Sequence, residues 1–86
     1  MPRYDDIIYT YHAQKRMKVR SISKQQIQDV LERPDRKFNN EGKIVVERTL
    51  GRRQKLRVVY TEFTYKDSIT HEVISVAKII TVVRPK

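Results

Sequence analysis

His12, Arg16 and Arg20 recur at intervals of four, the spacing that aligns side chains along one flank of a helix. An imidazole beside two guanidiniums can hold a phosphodiester and move a proton on it. At the start of a helix, the dipole and the neighbouring arginines favour the neutral imidazole, the form that accepts a proton as a general base must. Cleaving RNA without a metal needs a base for the 2′-hydroxyl, cations for the phosphate charge and an acid for the leaving 5′-oxygen. The chain offers His12 as base or acid, Arg16, Arg20 and Arg57 as phosphate clamps, and Tyr60 or His71 as the second proton-transfer group. Each has a plainer reading. Arg16 and Arg20 can pair with Asp29, Glu32 or Glu47, His12 can pack at a helix start, His71 can sit beside a turn, and Tyr60 can be a core tyrosine with a satisfied hydroxyl.

The elements that must position these residues are partly written in the chain. Asp6–Tyr9 reads as a short strand and Thr10 as the N-cap of a helix over Tyr11–Arg20, with Ala13 and Met17 on its core side. The stripe of His12, Arg16 and Arg20 then borders that side, which predicts half-burial between helix and sheet. Ser23 and Gln26 have capping-box spacing, and Ile22 and Ile27 flank them as a hydrophobic staple. Ile27, Val30 and Leu31 form one apolar stripe, and Pro34 stops the second helix by about Arg33. Beyond it the chain turns β: Lys43–Glu47, then Leu56–Phe63, a turn at Tyr65–Ser68, and one long or two short strands within Ile69–Val83. On the middle strand, Leu56, Val58 and Tyr60 share one face and Arg57, Val59 and Thr61 the other, so Arg57 and Tyr60 cannot project together.

The 86 residues predict a single domain, 1–86. A chain this short buries only roughly 60–65% of its unfolded surface, and without cysteine nothing covalent supplements its core. No cofactor is implied, and two histidines far apart make a metal site a poor expectation. The opening lacks a signal-peptide pattern and no apolar run reaches bilayer length, so no membrane role and a cytoplasmic location are expected. Charge is the strongest compositional feature. Nineteen Lys and Arg face ten Asp and Glu, a net +9, which points to a polyanionic partner. Around Gly51, Arg48, Arg52, Arg53 and Lys55 cluster near a hairpin tip and, with Lys15, are the candidate nucleic-acid contacts.

The run IYTYHAQKRMKVRSIS resembles the HAxxRMxxRxIS opening of an uncharacterised family of small bacterial domains, the DUF4258 type, and the likeness continues through VLERPD and LRVVYTEF. A looser resemblance is to the RelE/ParE-like toxins, carried by the first apolar strand, Thr10 and Ala13, two helices and a following sheet. That second resemblance implies a groove of the ribonuclease kind and an antitoxin partner. The expected fold is accordingly α+β, in the order β-α-α-β-β-β. Two N-terminal helices would pack on one face of an antiparallel sheet of about three to four strands, RelE/ParE-like. The expected function is a toxin-like, metal-independent endoribonuclease, or the RNA-binding part of a toxin-antitoxin system, acting on messenger or ribosome-associated RNA. A non-catalytic nucleic-acid module stays open, as does a protein-interaction subunit with an acidic partner. The apolar run Lys78–Val83 supports the last of these, because an uncovered strand invites pairing.

Overall fold

The computed structural model describes residues 4–52 and 54–85. The chain runs β1 (Asp6–Tyr9), α1 (Tyr11–Val19), α2 (Lys24–Glu32), β2 (Arg36–Asn40), β3 (Lys43–Thr49), β4 (Lys55–Lys66) and β5 (Val73–Val83). Thr10 caps α1, its Oγ1 accepting from the Ala13 amide at 3.1 Å while donating to the Ile80 carbonyl of β5 at 3.2 Å. The same hydroxyl thus starts the helix and ties it to the sheet. Ser23 and Gln26 close the capping box of α2, at 3.1 and 3.0 Å. The two helices meet at Ser21, whose φ of 53° lets the Ile22 amide reach back to the Met17 carbonyl.

The sheet is not the expected one. In place of three to four antiparallel strands there are five, in a mixed sheet ordered β1-β5-β4-β3-β2 with β1 parallel to β5. The RelE/ParE-like fold assignment goes with that correction. Two features escaped local reading. β2 (RKFNN) has one apolar residue and is exposed throughout, so no hydrophobic alternation announces it. It forms because Glu41 and Gly42, at φ 52° and 80°, make a two-residue turn that folds it back along β3. The parallel pairing of β1 depends on a strand some 70 positions away, with Asp6 opposite Val76 and Tyr9 opposite Ile79. β4 also continues through Tyr65 and Lys66, the first half of the segment read as a turn, and β5 is one strand.

α1 packs on β5, and α2 on β3 and β4. One core joins them: Ala13 and Met17 of α1, Ile27, Val30 and Leu31 of α2, and Val46, Leu56, Val58, Tyr60, Ile79 and Val82 of the sheet. Each fully buried aliphatic side chain contributes about 1.5–3 kcal/mol by leaving water. In β5 the register against β4 shifts between Val59 and Tyr60, skipping Ile80, the residue whose carbonyl holds Thr10. No helix among the described residues is long and apolar enough to cross a membrane.

Candidate nucleic-acid interface

With only Ala13 and Met17 of α1 buried, most of the helix circumference faces water. His12 and Arg16 are exposed rather than half-buried as their position beside the core side predicts; Arg20 alone is half-buried. The reason is topological: α1 lies against β5 and no second helix covers its flank. His12, Lys15, Arg16 and Val19 line a recess of about 230 Å³, and Tyr11, Gln14, Lys15 and Lys18 line another of about 380 Å³. Lys15 belongs to both. The helix contains no acid, so nothing on α1 neutralises the positive charge of Lys15, Arg16 and Lys18.

The carboxylates proposed as partners are elsewhere. Among the described residues the ion pairs are Arg57–Glu47 at 2.6 Å and Arg36–Glu47 at 3.8 Å. Arg16 and Arg20 have none. Arg20 closes α1, and its carbonyl accepts from Arg84 Nε at 3.3 Å, which sets a second guanidinium beside the end of the helix. The Arg20 Nε itself is shielded from water without a hydrogen-bond partner. His12, Lys15 and Arg16 at one recess, with Arg20 and Arg84 meeting at the end of the helix, thus form a basic ridge along α1 to the residue after β5. Arg84 escaped the sequence reading, because its contact spans 64 positions and no local pattern marks it.

The other candidate residues stand apart from this ridge. Arg57 projects from the face of β4 opposite the core and spends its Nε on Glu47, which is only 2% exposed. Tyr60 faces the core. Its hydroxyl lies 2.9 Å from that of Tyr4, which donates to Glu62 at 2.7 Å, and the two rings meet edge to face. Burial, first of all, raises both phenols above the ordinary tyrosine range, so neither is placed to exchange a proton near neutrality. His71 sits in the turn between β4 and β5 at φ 61°, its amide donating to the Asp67 carbonyl. Arg48 reaches from β3 to the end of α2, where Nη1 donates to the Arg33 carbonyl at 2.5 Å, a cation stabilising a helix C-terminus. Arg52 and Lys55 are exposed at the β3–β4 connection; Arg53 lies outside the described residues. No group of three or more metal-binding side chains is gathered among the described residues.

A family model described as "Domain of unknown function (DUF4258)" matches residues 9–84. The match takes in α1, the basic ridge and all of the sheet except the first three residues of β1. Searches of curated proteins and of solved structures find no match.

Proposed function

We propose that this chain, which belongs to the DUF4258 family, binds RNA by laying its phosphate backbone along the ridge from His12 to Arg84. The observation that carries this reading is the recess of α1, where His12, Lys15 and Arg16 converge with no carboxylate partner among the described residues. Guanidinium and ammonium groups left unpaired on a surface without acids favour a polyanion. RNA is preferred over DNA because the imidazole has something to act on only where a 2′-hydroxyl adjoins the phosphate.

The presence of His12 in the same recess as two cations favours a second reading in which the bound RNA is cut. His12 takes the 2′-hydroxyl proton and the 2′-oxygen attacks phosphorus. The bond from phosphorus to the 5′-oxygen breaks, and Lys15 delivers a proton to that leaving oxygen. Arg16 holds the non-bridging oxygens. The products are a 2′,3′-cyclic phosphate and a 5′-hydroxyl. That reading extends to a toxin-like role, in which an acidic antitoxin would cover the same ridge and so meet the net +9.

Fluorescence anisotropy with a single-stranded RNA oligonucleotide, followed by a gel of the same mixture, separates the two. Arg16→Ala with Lys15→Ala is expected to weaken binding by at least about tenfold at physiological salt. Unchanged affinity in that pair would remove the binding proposal. Wild type leaving the RNA intact, while binding it, would remove the cleavage reading. Cleavage lost in His12→Ala with affinity kept would support it.

A further inference from the structure

The far ends of β4 and β5 run past the helices as an arm. The described chain is accordingly long in one direction, 44 × 25 × 24 Å. Residues Glu62 to Lys66 are exposed without interruption. By the register of the pair, Phe63 lies opposite Val76 and Tyr65 opposite Ile74, so these four share the face of the arm that the helices leave open. Phe63 and Tyr65 are exposed there. Ile69 at the tip is 87% exposed and Val73 65%. Exposed apolar side chains gathered on one projecting element mark a contact surface.

The charge around the arm is opposite to that of the molecule. Asp5, Asp6, Glu62, Asp67 and Glu72 lie at this end, half of the chain's ten acids, against Lys66 and Lys78. The tip is also preformed. The Asp67 carboxylate accepts from the Ile69 and Thr70 amides at 2.7 and 3.1 Å, and the Asp67 amide donates to the Glu72 carbonyl. The matching surface is on the same molecule but beyond the arm's own reach, being on a helix that packs over β5. α1 exposes Tyr11 (82%) and Val19 (70%) around Lys15, Arg16 and Lys18. Its 380 Å³ recess is an open hollow bordered by Tyr11, Lys15 and Lys18.

We infer that the β4–β5 arm docks on α1 of a second copy of this chain. Pairing of two arms would set five acids against five, whereas arm against α1 sets acids and apolar groups against bases and apolar groups. Each copy carries one arm and one α1, so a twofold exchange closes on itself as a dimer. Two chains of +9 repel at a distance, but at physiological salt screening over about 8 Å leaves the contacting charges in control. The dimer covers the ridge assigned to RNA and shares Lys15 and Arg16 with it, but the arm is an observation of its own and the dimer does not require that RNA binds.

Sedimentation equilibrium of the full chain at physiological salt tests it. Wild type is expected as a concentration-dependent dimer. Phe63→Ser with Tyr65→Ser, both on exposed positions, is expected to weaken association by at least about tenfold. Glu72→Lys and Lys18→Glu should each do the same alone. Mixed together, those two variants should regain a heterodimer, because one of its two contacts is then wild type and the other has its charges exchanged. A wild type that stays monomeric at every concentration, or a dimer indifferent to the arm substitutions, would overturn the inference.

Discussion

Glu47 shows how a single residue's surroundings decide its neighbours' roles. Its carboxylate is buried on the sheet face that no helix covers, held by Arg57 at 2.6 Å and more loosely by Arg36 at 3.8 Å. A buried carboxylate without its cation is costly, so Arg57 acts on the fold whatever else it touches. Arg57→Ala is expected to cost about 1–3 kcal/mol in urea unfolding, less than for a fully buried pair because the guanidinium is partly in water. The same substitution should weaken RNA binding less than Arg16→Ala does, since Arg57 lies across the sheet from the recess. An anisotropy titration in which Arg57→Ala is the worse binder would shift the interface to the open sheet face. At this scale the sequence disclosed which residue types are present and that Arg57 and Tyr60 face opposite ways. It did not disclose that Glu47 pairs with Arg57 and Arg36, while Arg16 and Arg20 meet no carboxylate among the described residues.

Among the elements, α2 is the one whose stability rests most on local signals. Its capping box satisfies two backbone groups that would otherwise lack partners. Ser23→Ala is expected to cost about 1 kcal/mol, seen as a lowered Tm. β4 gives a prediction of another kind. Tyr60 and Tyr4 both titrate above the usual phenol range, with burial the main cause. In the unfolded chain they ionise near about pH 10, while the folded chain holds them neutral beyond it. Their contribution is therefore complete below that pH and lost as pH rises through the folded-state values. Thermal unfolding followed from about pH 8 to 11 should show falling stability, and Tyr60→Phe should flatten the fall.

For the whole molecule, the net +9 sets the long-range field and the tertiary structure distributes it. The bases of α1 and the end of β5 form one ridge, and half the acids collect at the arm. RNA affinity should fall steeply with salt. Each cation removed from the ridge should lower the slope of log affinity against log salt by about 0.7 for a single strand. Lys66→Ala, on the arm, should leave the slope unchanged. Equal slopes for Lys15→Ala and wild type would mean that Lys15 meets no phosphate.

Much that depends on neighbours within about four positions was readable from the chain: both helices, their Thr10 and Ser23 caps, the core stripe of Ile27, Val30 and Leu31, and the basic flank of α1, though not the polar turn at Glu41 and Gly42. Such contacts form with little loop-closure entropy, so residue type and spacing suffice to specify them. The parallel seat of β1 beside β5, the addition of β2 and the gathering of Arg84 with Arg20 were decided only on folding. So was the separation of His12 from Arg57, Tyr60 and His71. β2 pairs with its neighbour β3 but carries no apolar alternation to announce it; the others rest on pairings tens of residues apart, where many partners have similar local fitness. The shared burial of one core chooses among them.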